Sequence, residues 1–405
     1  MTEAFKPVDE PGLVDCVREA LAAETSLEVV GQGSKRAMGR PSQAGQLLDM
    51  SACSGIVAYE PEELVLTARA GTPVADIEAL LAENGQELVF EPIDYSTLLG
   101  GEPGSGTLGG VLAANLSGPR RIRAGAARDS VLGISGVTGR GEAFKSGGRV
   151  VKNVTGYDLS RGLAGSWGTL AVLSELTFKV LPAARAVETL VFAGLDDARA
   201  TALLSKAMGS TADVSGAAHL PAAASGGLKI DGIDGAATLI RLEGIAVSVA
   251  ARSAHLADLL SEFGAPKKFD DAASRALWRA VRDCRPFAQG DPRVVWRLSV
   301  APTTGPAVAS ALAGLPGAGH YFDWAGGLIW FAVEAGEDAH AETIRAAVAK
   351  AGGGHATLVR AAPSIRARVP VFEPQAPALA ALSNRLKENF DPRGILNPGR
   401  MVAGV

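Results

Sequence analysis

Apolar residues recur at helical spacing in TPVADIEALLAENG, where Val74, Ile77 and Leu81 fall on one face. Thr72 is the expected N-cap of that helix, Pro73 its first residue and Gly85 its stop. A second helix is expected over 10–24. Residues 27–30 (LEVV) form a short apolar strand that runs directly into GQGSKRAMG, so a strand delivers a glycine loop. IVAYE and LVLTARAG read as strands, and the nearest strand ahead of GSGTLG is ELVFEP. From 100 to 182 glycine is so frequent that few long elements fit, and the segment ends in TLAVLSELTFKVLP, two strand-like runs closed by Pro182.

Beyond 182–187 the pattern changes to strands alternating with Ala-rich helices: VETLVFAGL, a helix near 196–208, TLIRLEGI and a helix near 246–263. A second round follows, with VVWRLSVAP, a helix near 305–314, the paired strands HYFDW and LIWFAV, a helix near 338–351, and HATLVRA. Two β-α-β-β-α-β units in tandem explain this order and give an antiparallel sheet covered by helices on one side. The tail reads as one helix from about 376 and then FDPRGILNPGRM, where Pro and Gly force an irregular ending.

Composition changes this picture at one point. Glycine supplies 49 of 405 residues, about 12% against a usual ~7%, while aromatics are only 5%. Something here needs backbone more than side chains. With 39 basic and 43 acidic residues the net charge is −4, and no long Lys/Arg run offers a footprint for nucleic acid or anionic lipid. No window approaches the ~20 apolar residues of a spanning helix, so a cytoplasmic protein without direct membrane insertion is expected. Cys16, Cys53 and Cys284 form neither a CxxC pair nor a disulfide framework, and three cysteines cannot ligate an iron–sulfur cluster alone.

GSGTLG at 104–109 fits G-x-G-x-x-G, with Asp129 twenty residues past its last glycine, where a dinucleotide fold places its ribose-binding acid. That reading needs a strand entering the first glycine, and STLLGGEP stands there instead. GQGSKR fails the pattern at Arg36, and no P-loop occurs. Two glycine segments about seventy residues apart, each with small hydroxyls (Ser34, Ser105, Thr107, Ser117), are backbone nests able to face a pyrophosphate. A third, GGRVVKNVTGYDLSRGLAGSWGTLAVLSE (147–175), spaces its glycines so that a planar ring could approach the backbone.

GQGSKRAMG, GTLGGVLAANLSG with RAGAARDSVLG, the 147–175 segment and FDPRGILNPGRM together resemble, in that order, flavoenzymes of the vanillyl-alcohol-oxidase or p-cresol-methylhydroxylase (PCMH) type. VVWRLSVAPT, FDWAGG, GGHATLVRA and RVPVFEPQAPALAAL are similar, more narrowly, to the FAD-binding E subunit of bacterial glycolate oxidase. The resemblance implies an α+β chain: a two-subdomain PCMH-type FAD-binding domain over 1–182, a ferredoxin-like α+β cap over 183–386, and a tail, 387–405, returning to the FAD domain. Implied cofactor residues are Gly31, Gln32, Gly33, Ser34, Lys35 and Gly39 in the first loop. In the second they are Gly106, Thr107, Leu108, Gly109, Gly110, Ala113, Asn115 and Gly118. In the third they are Val150, Lys152, Asn153, Gly156, Tyr157, Asp158, Gly168, Thr169 and Val172. Asp158 and Arg161 read more simply as a structural pair.

Some members of this group attach FAD through His or Cys in the first domain. No His precedes His219, and Cys16 and Cys53 sit where small buried hydrophobes are usual, so FAD is expected to be non-covalent. Related catalytic subunits carry a paired-His motif in the second domain, which is absent here; His219, His255, His320, His340 and His355 are too dispersed for a local constellation or metal site. No catalytic residue is therefore assigned. Arg297, Arg360 and Arg366, with Trp296 and Trp324, are the second-domain candidates for a place near the flavin, while salt-bridged Arg and core Trp are the simpler reading of them. The resemblance implies a small 2-hydroxy acid substrate, a second FAD-bearing glycolate oxidase subunit and an iron–sulfur subunit as partners, and at most a peripheral place at the inner membrane through them. A self-sufficient FAD-dependent dehydrogenase and a non-catalytic assembly subunit are the alternatives.

Overall fold

The computed structural model describes residues 4–150, 157–230, 232–288 and 290–403. The chain divides into two units: Met1–Ser117 with Gly125–Ala183 and Pro374–Val405, and Gly118–Ala124 with Ala184–Glu373.

The first unit begins with α1 (Glu10–Ala22), whose N-cap Asp9 accepts the Gly12 N–H at 2.9 Å. Its Leu13, Val17 and Ala20 recur one turn apart and are buried. They pack on Leu27 of β1 (Leu27–Val30) and Leu48 of β2 (Gln46–Asp49), two parallel strands. The tail completes this layer: Leu27 N–H donates to Ile395 O at 2.7 Å, and Asn397 N–H to Leu27 O at 2.9 Å. Then come β3 (Ile56–Glu60), β4 (Val65–Arg69), α2 (Val74–Glu83), β5 (Gln86–Glu87), α3 (Leu108–Ala114), β6 (Val131–Thr138), β7 (Ala143–Gly147), β8 (Ala171–Lys179) and β9 (Leu181–Pro182). Strands β3-β4-β8-β6-β7 form an antiparallel sheet in that order.

Three local expectations are corrected. Pro73, not Thr72, is the N-cap of α2, and it makes no side-chain cap bond. The Thr72 hydroxyl is committed elsewhere, to Arg69 O at 2.7 Å and to the N–H of Gly55 at 3.0 Å. ELVFEP is a strand only at its first residue, because Phe90 turns into the core against Phe178 and Glu91 takes a left-handed φ of 50°. The glycine-rich region does hold a long strand, the eight-residue β6. A Cβ at its Gly133 would lie 2.8 Å from Gly148 N, so glycine there permits close strand pairing rather than a turn.

The second unit is an eight-stranded antiparallel sheet built from β10 (Ala186–Ala193), β11 (Gly216–Leu220), β12 (Ala237–Gly244), β13 (Lys267–Phe269), β14 (Val294–Ser299), β15 (Gly319–Asp323), β16 (Leu328–Val333) and β17 (His355–Arg360). Its order, β13-β10-β12-β11-β15-β16-β14-β17, is two ferredoxin-like halves of the same topology joined at their β11 and β15 edges. Helices Asp197–Met208 and Ala246–Leu259 cover the first half, and Gly305–Leu312 and Ala341–Lys350 the second, each over its own apolar cluster. The expected helix to 263 ends as an α-helix at Leu259 and continues as a 3₁₀ turn. The last helix, Pro377–Phe390, belongs to the first unit.

Candidate functional site

Strand β1 ends at Val30 and hands the chain to the loop 31–40. A cleft of about 830 Å³, open to solvent, lies in the first unit between this loop, α3 and the segment 166–173. Among the expected residues, Gly31, Gln32, Gly33, Ser34, Lys35, Thr107, Gly109, Gly110, Ala113, Gly168 and Val172 line it.

The others stand apart. Leu108 is wholly buried in the core, and the Gly106 carbonyl accepts Val74 N–H at 2.8 Å. Gly39, at a φ of 76°, packs on Arg400. Asn115 closes α3 in a left-handed conformation and accepts the Arg128 N–H at 3.1 Å. Gly118 lies in the second unit, where its carbonyl accepts Trp324 Nε1–H at 3.1 Å. Thr169 donates its hydroxyl to Ser166 O at 2.7 Å. Val150 and Tyr157 are exposed, and Asp158 caps a short turn and pairs with Arg161 at 3.6 Å. Lys152, Asn153 and Gly156 lie outside the described residues.

The two glycine loops differ in what they can donate. At the start of α3, Leu108 N–H is bonded to Thr72 O at 3.0 Å, Gly109 N–H to Ala70 O at 2.8 Å and Gly110 N–H to the Thr107 hydroxyl at 3.4 Å. Those amides are spent inside the protein. In the first loop the N–H groups of Gln32, Gly33, Ser34 and Lys35 have no partner among the described residues. A run of unspent amides on a loop that lines a cleft is a donor set of the kind that binds anions. Gly31 and Gly109 serve loop packing: a Cβ at Gly31 would collide with the Thr107 side chain, and one at Gly109 would lie 2.8 Å from Ala70 Cβ. Gly109→Ala is accordingly expected to cost about 1–3 kcal/mol of stability through overpacking, as read by thermal unfolding.

Three cations line this cleft, Lys35, Arg36 and Arg400. Lys35 Nζ donates to Ser34 Oγ at 3.1 Å, its one hydrogen-bond partner among the described residues. The side chain is half-buried by area, yet the ammonium itself is ringed by protein, and this burial pulls its pKa down to about 8, with Asp94 only partly opposing. Asp94 accepts from Ser96 N–H at 2.9 Å and Gly104 N–H at 2.7 Å; burial alone would raise its pKa, but these bonds and Lys35 outweigh it and lower it.

Trp167, Asn397 and Arg400 complete the cleft and were not among the expected site residues. Asn397 Oδ1 accepts Val29 N–H at 2.8 Å while its Nδ2 donates to Trp167 O at 2.8 Å, clamping two walls together. Arg400 Nη2 donates to Lys35 O at 2.7 Å and so shapes the donor loop from behind. The NPGRM tail signalled its return to this unit, but nothing local told which of its residues reach the cleft.

Residues 3–147 match the FAD binding domain family. The chain is 37% identical to the "Glycolate oxidase subunit GlcE" of Escherichia coli (strain K12) over 391 residues, 96% of this chain and 97% of that one. It belongs to the GlcE family. Glycolate oxidase subunit GlcD of Bacillus subtilis (strain 168) is 30% identical over 37% of this chain and 30% of its own length. The solved structure of p-cresol methylhydroxylase shares the fold, with a TM-score of 0.76 at 14% identity over 99% of this chain and 88% of that one. This GlcE-family chain is thus an FAD-dependent oxidoreductase subunit of glycolate oxidase type, with the PCMH-type flavoprotein fold. The cleft fits that cofactor: unspent amides and Lys35 suit a diphosphate, while Trp167, Val172 and Ala113 offer apolar walls to rings.

In the second unit of this GlcE-family chain, folding gathers three groups that are distant in sequence. His219 Nε2 lies 3.3 Å from one oxygen of Asp197, and His320 Nε2 lies 2.8 Å from the other. Burial alone would raise the Asp197 pKa, but the two imidazoles win and hold it far below the carboxylate range. Among the described residues no group of three His, Cys, Asp or Glu is arranged to hold a metal ion. Trp296 is a core residue donating to Ala339 O at 3.0 Å. Arg360 donates to Phe287 O at 2.7 Å and Arg366 to Ala361 O at 3.1 Å. Arg297 lies 4.9 Å over the Trp324 ring. No described helix is long and apolar enough to cross a membrane.

Proposed function

We propose that this chain is the FAD-bearing E-type subunit of a heteromeric glycolate oxidase, which takes a 2-hydroxy acid to the 2-oxo acid and passes electrons to an iron–sulfur subunit. The observation that carries the reading is the donor cleft, in a chain related to GlcE along nearly its whole length. The loop amides of residues 32–35, the Ser34 hydroxyl and Lys35 would hold the diphosphate. Asn397 and Arg400 keep that loop and the Trp167 wall in register, which reduces the ordering cost of binding. When bound, FAD would supply a two-electron acceptor. The chain's own three cysteines are dispersed, so onward transfer calls for a partner that carries the iron–sulfur centre.

Attachment is non-covalent in this reading. Among the described residues the cleft lining contains neither His nor Cys: no His occurs before His219, and Cys16 and Cys53 pack elsewhere. The purified chain is expected to show a flavin absorption spectrum, with the yellow colour released as FAD after acid precipitation. Colour held in the pellet would refute non-covalent attachment, and a colourless chain that takes up no added FAD would refute the flavin role. For the heteromeric function, glycolate oxidation by the assembled complex should collapse when this chain is omitted. An undiminished rate without it would overturn the subunit assignment, and full turnover by the chain alone would favour a self-sufficient dehydrogenase.

A further inference from the structure

We propose that Lys35 makes cofactor binding proton-linked: its Nζ takes up a proton from solvent as the FAD diphosphate arrives, so the cleft holds flavin at neutral pH and releases it in mild alkali. This rests on the reading of the cleft as an FAD site, and adds how that site is regulated.

The geometry begins with isolation of the ammonium. Nζ reaches the Ser34 hydroxyl, and a Cβ at Gly110 or Gly106 would lie 3.4 and 3.9 Å from it, so the lysine occupies the narrow gap between the two glycine loops. The charged groups around it are engaged elsewhere. From the segment ahead of α3, Asp94 is tied to Ser96 and Gly104. From the same loop, Arg36 turns away to Glu28, at 3.0 and 2.5 Å. From the tail, Arg400 spans the carbonyls of Lys35 and Arg36 at 2.7 and 3.3 Å. The rest of the facing wall, Ala70, Thr107 and Ala113, does not titrate in this range.

The second part is the imbalance at the start of α3. Its first amides are consumed by Thr72, Ala70 and Thr107, so they contribute little to neutralising a diphosphate. Of the three cations lining the cleft, Arg36 is paired with Glu28 and Arg400 is held on the loop's own carbonyls, so Lys35 is the one whose charge changes in this pH range. A desolvated ammonium without a carboxylate partner gives up its proton to solvent easily, and burial lowers the Lys35 pKa to about 8. A dianion brought beside it restores the charged form and raises that value. The sign follows: affinity is fully present below about 8 and declines as pH rises through it toward the higher value of the complex.

The test is FAD affinity of the FAD-stripped full chain by flavin fluorescence quenching from pH 6.5 to 9.5, with proton uptake read by titration calorimetry in two buffers of different ionisation heat. The wild-type Kd should be level up to about pH 8 and then rise about tenfold per pH unit, with net proton uptake at pH 8.5. Lys35→Arg, whose guanidinium stays charged, should bind with no slope and no uptake. Lys35→Met should bind about tenfold or more weakly at pH 7 and also without slope. Flat wild-type binding, or a slope that persists in Lys35→Met, would overturn the proposal while leaving the FAD reading intact. Absence of FAD binding at every pH would instead overturn that reading and the proposal with it.

Discussion

Lys387→Met is expected to cost about 3–5 kcal/mol, the usual penalty for stranding one member of a buried ion pair. Lys387 is the buried side chain of the C-terminal helix, and its Nζ donates to Asp391 Oδ2 at 2.7 Å, Thr169 O at 2.8 Å and Leu396 O at 3.0 Å. Asp391, 1% exposed, accepts in turn from the N–H groups of Ile395 and Leu396 at 3.1 and 2.8 Å. Without the ammonium that carboxylate is buried and uncompensated. The tail it organises carries Asn397 and Arg400, so cofactor retention should fall together with the urea midpoint. Adding Asp391→Asn should recover part of the stability, because the neutral amide removes the stranded charge. An unchanged midpoint in the single variant would show that Ile395 and Leu396 anchor the tail by apolar packing alone.

In the second unit, Arg120→Met is expected to be comparably destabilising, by about 3–5 kcal/mol at pH 7. Arg120 grips Glu243 through two nitrogens, Nε to Oε2 at 2.9 Å and Nη2 to Oε1 at 2.7 Å, with side-chain exposures of 9% and 4%. Burial by itself would raise the Glu243 pKa, but Arg241 and Arg120 outweigh it and hold it at about 2. A carboxylate lowered in the folded state contributes stability that is present above its unfolded value of ~4.3 and is lost as pH falls from there toward 2. Wild-type thermal stability should therefore drop over that acid window, and the Arg120→Met profile should be flatter there. Parallel profiles for the two proteins would show that Arg241 alone sets the charge state of Glu243.

Much of the fold was legible because its signals are local. The apolar spacing in α2, the short LEVV strand feeding a glycine loop, and the alternation of strands and Ala-rich helices in the second half all depend on neighbours within a few residues. The failures share a cause as well. ELVFEP has strand composition but is recruited by the core through Phe90, and β6 contains glycines that composition reads as turns but pairing requires. In the site, both glycine loops looked equivalent as nests. Their difference lies in where Ala70 and Thr72 place their carbonyls, which no pattern in GTLGG reveals.

By itself, the sequence determined an α+β chain with three ordered glycine motifs, and through the resemblance of those motifs to PCMH-type flavoproteins it implied the class of this protein and a tail that returns to its first unit. Strand and helix order depend on residue spacing alone. Tertiary structure alone decided which amides remain unspent, that Asn397 clamps Val29, a residue 368 positions away, and that Asp197 meets both His219 and His320. It also decided that Lys35 stands with no acidic partner closer than Asp94's long-range field. Charge state and donor capacity depend on burial and on contacts between segments far apart in the chain, and those exist only once the chain has packed.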